Sequence, residues 1–156
     1  CGTVLQAYMH RTINDIDILD VPHSNIRICK GAYKENENIA YQDYQKIRDN
    51  YLECAEKIMD KGIYVGLATH DDWLIKNLLD LIKRKKYKPN KYEFQALSGV
   101  PIDKRLDSLI NEGHKVRYYV PYGPEWYAYS LRRMRENPDI WKDTLKAFFF
   151  RSRHRK

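Results

Sequence analysis

The segment YVGLATHDDWLIKNLLDLIKRKKYKPNKYEFQAL, residues 64–97, contains two short apolar runs separated by a longer segment of helical period. The runs at 64–68 and 92–97 are short, contain aromatic and aliphatic residues and adjoin turn residues, which indicates strands. The intervening helix follows Thr69-His70-Asp71 and ends in the basic run 83–86. A strand, a helix and a second strand in this order predict a parallel βαβ unit.

The same alternation extends in both directions from this unit. The sequence predicts five strands and five helices in strict alternation, the fifth helix being the one that contains Arg132 and Arg133. The remaining predicted strands are 4–8, 25–30 and 116–120, and the remaining helices are 12–19, 41–60 and a helix from Pro101 to Gly113. We therefore expect one α/β domain over residues 1–156, with a basic tail at 151–156.

Such a pattern fits either part of a (β/α)8 TIM-type barrel or an open doubly wound sheet. The Gly-rich strand-to-helix motifs that bind nucleotides in doubly wound sheets are missing from the sequence. Polar residues also recur near the C-terminal ends of the predicted strands, where barrel enzymes place their active sites. These are Gln6, Lys30, Thr69, His70, Gln95 and Tyr119. Both observations favour the barrel.

The overall composition narrows the class of protein. No apolar run reaches the ~18 residues that cross a bilayer, and the start of the chain lacks the pattern of a secretory signal. Three cysteines without metal-ligand spacing predict reduced thiols in a cytoplasmic protein, with Cys29 and Cys54 buried and no metal site. The net charge of +7 comes largely from the tail, which is either solvated or in contact with an anionic membrane surface or nucleic acid.

The strand end RICKGAY, residues 27–33, combines cations with small residues. Alternation places Arg27, Cys29 and Gly31 on one face of the strand. An arginine in a barrel mouth needs a partner, and an anionic or hydrogen-bonding cofactor would provide one. Gly31 and Ala32 leave the backbone open to a flat ring or a phosphate. The alternatives are a strand with solvated charges, or Lys30 as a Schiff-base nucleophile.

Two further groups of residues suggest ligand binding. Thr69 and His70 either contact a nucleotide cofactor or belong to a helix cap, since Thr or Asp is favoured at that position. The adjacent Arg132 and Arg133 lie close in sequence to Trp126, Tyr127 and Tyr129. Paired guanidinium groups bind carboxylates, and aromatic faces pack against apolar groups. This segment therefore predicts either a site for a small amino or carboxylic acid or a solvated basic helix face.

Six motifs in succession resemble the strand and helix signatures of proline dehydrogenases. They are VLQAY, RICKGAYKE, ATHD, EFQALSGV, VRYYVPYG and YSLRRMREN, between residues 4 and 137. The resemblance implies a distorted (β/α)8 barrel, of which the motifs cover about strands 4 to 8 and the final helices. It further implies a flavoenzyme that oxidises L-proline to 1-pyrroline-5-carboxylate by hydride transfer to FAD and passes the electrons to a quinone. Because the chain begins with a strand pattern at Cys1, we expect it to be the C-terminal part of a longer polypeptide.

The resemblance also implies roles for individual residues. Arg27 and Tyr119 would be catalytic, with Arg27 beside the flavin N5, and Arg132 and Arg133 would bind the carboxylate of proline. The proline ring would contact Tyr33, Leu97, Tyr119 and Tyr129. The residues implied to bind FAD are Gln6, Arg27, Lys30, Gly31, Ala32, Thr69, His70 and Glu136.

The sequence is also compatible with two alternatives to a proline-oxidising enzyme. A basic module for nucleic acids or anionic surfaces is suggested by the pI of 9.2 and the 13 tyrosines. Basic and aromatic residues do not interleave along one face, so we expect no specific nucleic-acid partner. An incomplete, inactive barrel is the third possibility.

We expect a cytoplasmic protein, with peripheral contact at the inner membrane face as the alternative.

Overall fold

The computed structural model describes residues 2–19, 24–33, 35–97, 103–120 and 122–125. Strands and helices alternate strictly along these residues, as the sequence predicts. The strands are β1 (Gly2–Gln6), β2 (Asn25–Cys29), β3 (Tyr64–Ala68), β4 (Tyr92–Leu97) and β5 (Val116–Tyr119). The helices are α1 (Thr12–Ile18), α2 (Tyr44–Asp60), α3 (Asp72–Lys85) and α4 (Asp103–Asn111). The predicted fifth helix lies outside the described residues.

All five strands are parallel and lie in the order β1-β2-β3-β4-β5. A doubly wound sheet instead reverses its strand order at a switch point. A sheet that adds each new strand on the same side is the arrangement of a (β/α) barrel. The topology of the described residues thus supports the barrel over the open sheet.

One face of the sheet forms the hydrophobic core with the helices. Ile28, Leu67 and Phe94 are neighbours across three strands and are almost fully buried. Leu74 and Leu78 of α3 belong to the same buried cluster. Burying a side chain of this size contributes about 1.5–3 kcal/mol, so these contacts supply much of the stability that fixes the sheet.

Two element boundaries differ from the sequence prediction, one at a helix and one at a strand. The sequence prediction begins α2 at 41, whereas the helix begins at Tyr44 because the Asp43 carboxylate accepts a hydrogen bond from the backbone N–H of Lys46. The predicted first strand, 4–8, is displaced by two residues, since pairing with β2 begins at Gly2. Among the described residues, no helix is both long and apolar enough to span a bilayer.

Candidate functional site

The other face of the sheet bears polar side chains, and we call it the open face. Its residues alternate with the core residues along each strand. Across the sheet, the register aligns Val4, Arg27, Gly66 and Glu93 in one row and Gln6, Cys29, Ala68, Gln95 and Arg117 in the next. Val4 is 53% exposed, which shows that no described segment covers this end of the face.

Glu93 is the centre of a hydrogen-bond network on the open face. Arg117 donates to both carboxylate oxygens, from Nε at 2.6 Å and from Nη2 at 3.0 Å. The hydroxyl of Tyr64 donates to Oε2 at 2.9 Å, and Nε2 of Gln95 donates to Oε1 at 2.7 Å. Burial raises the pKa of Glu93, but these hydrogen bonds outweigh burial and hold the pKa below its usual value. Glu93 is therefore a carboxylate at neutral pH.

Gln95 connects this carboxylate to Arg27. Its Oε1 accepts a hydrogen bond from Arg27 Nε at 2.9 Å, while its Nε2 donates to Glu93. The guanidinium carbon of Arg27 also lies 5.1 Å from the ring centroid of Tyr119, within the range of a cation–π contact. Arg27 has no carboxylate partner among the described residues. One carboxylate faces two guanidinium groups here, so the network has an excess positive charge at Arg27.

Gly66 makes room for the Gln95 side chain. A Cβ at position 66 would lie 2.3 Å from Nε2 and 2.8 Å from Cδ of Gln95, closer than real Cβ contacts. The residue at this position thus determines whether the amide can cross β3 to reach Arg27 on β2. The sequence alone assigns no role to Glu93 or Arg117, and it indicates Gln95 only as a polar residue near a strand end.

A second polar cluster lies where β2 and β3 end, around Asp71. The Asp71 carboxylate binds Arg48 through two hydrogen bonds of 2.9 Å and Lys30 at 3.1 Å, and it accepts a 2.8 Å hydrogen bond from the Tyr44 hydroxyl. It also caps α3, accepting hydrogen bonds from the backbone N–H groups of Trp73 and Leu74. Burial raises the pKa of Asp71, but Arg48, Tyr44 and Lys30 together hold it well below its usual value.

Lys30 is thus paired with a carboxylate of the protein itself. Lys30, which is predicted to bind the cofactor, forms an ion pair with Asp71. Its ammonium group lies 4.6 Å from the ring centroid of Tyr44. Nucleophilic lysines are activated by desolvation or by a nearby cation. Here the neighbour is an anion, so the geometry does not support the alternative of a Schiff-base nucleophile.

Thr69 and His70 have distinct positions at the same rim. The Thr69 hydroxyl accepts a hydrogen bond from the backbone N–H of Asp71 at 3.1 Å, and Asp71 is the N-cap residue, so the predicted capping role is confirmed for this segment. His70 Nε2 accepts from the backbone N–H of Leu97 at 3.0 Å. Burial, together with the positive charges of Lys30 and Arg27, lowers the pKa of His70. The imidazole is therefore neutral with its proton on Nδ1, a donor with no partner among the described residues.

The loop after β2 is packed more closely than the sequence indicates. Gly31 has φ of 117°, and a Cβ there would lie 2.3 Å from Cδ1 of Tyr8. The side chain that approaches this glycine is thus the buried ring of Tyr8. Ala32 is half-buried and Tyr33 is 55% exposed.

The remaining predicted site residues divide into three groups. Gln6 is half-buried on the open face, where it is paired with Cys29 of the neighbouring strand β2. Leu97 and Tyr119 are paired at the ends of β4 and β5. Tyr129, Arg132, Arg133 and Glu136 lie outside the described residues, so their roles stay predictions.

The two cysteines that the structure describes differ in burial. Cys54 is fully buried as predicted, whereas Cys29 is only half-buried. Both are free thiols. No group of three metal-ligating side chains occurs within the described ranges.

The chain has the architecture of α/β proteins of the (β/α)-barrel type. Its parallel strands follow one another in sequence order, with helices on one face of the sheet and polar side chains on the other. The solved structure of proline utilization A from Bdellovibrio bacteriovorus, inactivated by N-propargylglycine, superimposes with a TM-score of 0.77. The match covers 89% of this chain and 16% of that chain, with 21% sequence identity. At this identity the likeness shows the fold.

The family follows from the sequence comparisons. The family model of proline dehydrogenase matches residues 1–144. Proline dehydrogenase 2 of Bacillus subtilis (strain 168) is 43% identical over 137 residues, which cover 88% of this chain and 45% of that protein. The proline dehydrogenase of Deinococcus radiodurans is 39% identical, with coverage of 88% and 44%. The chain belongs to the proline dehydrogenase family, and it spans less than half the length of these relatives.

Proposed function

We propose that this chain forms part of the active site of an oxidoreductase that converts L-proline to 1-pyrroline-5-carboxylate, with FAD as cofactor and a quinone as electron acceptor. Membership of the proline dehydrogenase family supports proline as the substrate. The chain would contribute about strands 4 to 8 of the barrel, and the open face would line the barrel interior.

The observation that carries this proposal is the state of Arg27. Its guanidinium lies on the open face with a neutral amide and an aromatic ring as its partners, and with no carboxylate among the described residues. A cation in such a place stabilises an electron-rich group that approaches it. The Nδ1–H of His70, which has no partner among the described residues, adds a hydrogen-bond donor at the same rim. These donors and the excess positive charge fit a flavin, which gains negative charge when it is reduced.

Bound FAD would supply the acceptor for the hydride that leaves the proline ring carbon next to nitrogen. The residues of this chain that would hold it are Gln6, Arg27, Lys30, Gly31, Ala32, Thr69, His70 and Glu136. Arg27 would stabilise the developing charge from a fixed position, because Gln95 and Tyr119 hold its side chain before the substrate binds. Arg132 and Arg133 would bind the carboxylate of proline, with Tyr33, Leu97, Tyr119 and Tyr129 around the ring.

Steady-state kinetics of a chimaera test the proposal. This chain replaces the matching 137-residue region of the B. subtilis relative, and proline-dependent reduction of a soluble quinone is followed. We expect turnover by the chimaera and a loss in kcat of about 100-fold in Arg27→Met, the size typical of removing one preorganised donor. Arg132→Met and Arg133→Met should mainly raise KM, since they remove ground-state binding.

Arg11→Met is the matched control, because Arg11 is an exposed arginine that pairs with Asp15 away from the open face. An active chimaera in which Arg27→Met and Arg11→Met have equal kcat values would refute the assigned role. A chimaera that folds but shows neither yellow colour nor turnover would instead favour an inactive barrel.

Localisation follows from the same proposal. We infer a cytoplasmic enzyme whose basic tail at 151–156 contacts the inner membrane face, where quinones reside. Sedimentation of the protein with vesicles containing anionic lipids, before and after removal of the tail, tests this contact. Equal sedimentation of both forms would contradict it.

A further inference from the structure

The hydrogen-bond network on the open face has a defined direction. Arg27 Nε can only donate, so the oxygen of the Gln95 amide must face it. The Glu93 carboxylate can only accept, so the nitrogen of the same amide must face Glu93. A single orientation of the amide satisfies both neighbours, and Arg27 and Glu93 both favour that orientation.

We propose that Glu93 is a positioning residue that acts through Gln95 to hold the Arg27 guanidinium in place on the open face. The inference rests on the proposed function for its consequence in catalysis, but the contact that it concerns belongs to the protein without ligand. Glu93 itself is 6% exposed and Gln95 is 7% exposed, so neither is hydrated well enough for water to replace the lost partner.

Three surrounding groups keep Glu93 in this role. Arg117 binds both of its oxygens and Tyr64 donates to one of them, which fixes the carboxylate between β3 and β5. Gly66 leaves the space through which Gln95 reaches β2. Each strand from β2 to β5 thus contributes to the placement of one guanidinium.

Replacing Glu93 by glutamine removes the directionality while keeping the shape. A glutamine at 93 has one oxygen in place of the two that accept from Arg117, Tyr64 and Gln95. When that oxygen faces Tyr64, the NH₂ group at 93 faces Gln95 and competes with Arg27 for the Gln95 oxygen. Arg27 then shares or loses its acceptor and is no longer held in one position. The double exchange Glu93→Gln/Gln95→Glu restores an acceptor next to Arg27, because a carboxylate at 95 accepts both from Arg27 and from the amide at 93.

The side-chain Nε–H resonance of Arg27 in ¹⁵N NMR spectra of the protein without flavin measures this directly, with Arg27→Lys used for assignment. We expect slow exchange of this proton with solvent in the wild-type protein and in Glu53→Gln, an exposed control with the same charge change. Exchange should accelerate by about tenfold or more in Glu93→Gln, as expected from the loss of a hydrogen bond to a charged group. It should slow again in the double exchange.

In the active chimaera, Glu93→Gln should lower kcat by about tenfold and leave KM within about twofold, since Arg27 is not a substrate-binding residue. An unchanged Arg27 proton in Glu93→Gln overturns the proposal. If Glu93→Gln does not fold, Gln95→Met takes its place, and slow exchange in that variant has the same meaning. Because the NMR experiment needs neither flavin nor proline, a failure of the proposed function leaves its result interpretable.

Discussion

Replacing Asp71 by asparagine separates the two roles of this side chain. Asparagine caps a helix about as well as aspartate, so the hydrogen bonds to Trp73 and Leu74 at the start of α3 are retained. What is lost is the anion that binds Arg48 and Lys30. The variant therefore reports on the ion pairs with little contribution from the cap.

The structure sets the size of the effect. Removing one partner of a fully buried ion pair costs about 3–5 kcal/mol. The Asp71 side chain is only 4% exposed, but those of Arg48 and Lys30 are 21% and 28% exposed, so water can partly solvate the two cations. We therefore expect a loss of about 2 kcal/mol in the free energy of unfolding at pH 7.

Urea unfolding at 25 °C, followed by tryptophan fluorescence and circular dichroism, measures this loss. The matched control is Asp72→Asn, which removes the same charge from an exposed position in the first turn of α3 and should cost at most about 1 kcal/mol. If Asp71→Asn were no less stable than Asp72→Asn, the ion pairs would contribute nothing and the account of this cluster would be wrong.

The same variant predicts a dependence on pH. The folded-state pKa of Asp71 is below the unfolded value, so the folded protein binds this proton less readily. The stabilisation is complete above about pH 4, near the ordinary aspartate pKa, and decreases as the pH falls further. The difference between wild type and Asp71→Asn should therefore shrink below about pH 4, and a constant difference down to pH 2 would contradict this assignment.

Three further predictions concern the core and the open face. Gly66→Ala should lower the free energy of unfolding by about 1–3 kcal/mol and accelerate exchange of the Arg27 Nε–H, because the added Cβ displaces Gln95. The control for proton exchange is Gly62→Ala, where a Cβ meets nothing within 4 Å, although φ is positive at 72°. Tyr51→Phe should cost about 1 kcal/mol, since the buried hydroxyl donates to the Ile28 carbonyl at 3.1 Å, and urea unfolding measures it. Burial and the nearby Glu53 raise the pKa of Cys54 to about 12, so a thiol reagent at pH 8 should label Cys54 only after unfolding; rapid labelling of the folded protein, located by mass spectrometry, would contradict its burial.

The sequence predicts those elements whose signals are local. Both strands of the 64–97 unit have the predicted bounds, since short apolar runs next to turn residues are sufficient to define them. The sequence predicts the beginning of α2 three residues too early, because Asp43 caps the helix and ends the extended segment that precedes it. The predicted polar residues near the strand ends do lie along one rim of the sheet.

The hydrogen-bond partners within the site could not be predicted in the same way. The contact of Arg27 with Gln95 spans 68 residues and depends on the register of three strands and on the space at Gly66. A signal was nevertheless present, because β4 alternates Glu93 and Gln95 with buried aromatic and small residues. Buried polar residues on the open face of a central strand require partners, and Arg27 and Arg117 lie on the same face of nearby strands.

Anaerobic mixing of the FAD-loaded chimaera with proline isolates the role of Arg27, because the loss of flavin absorbance reports the transfer of two electrons from the substrate without any quinone. We expect rapid bleaching by proline in the unmodified chimaera and in Arg11→Met, and bleaching about 100-fold slower in Arg27→Met. Bleaching at the same rate in Arg27→Met, or none at all in an unmodified chimaera that has bound FAD, would contradict this expectation.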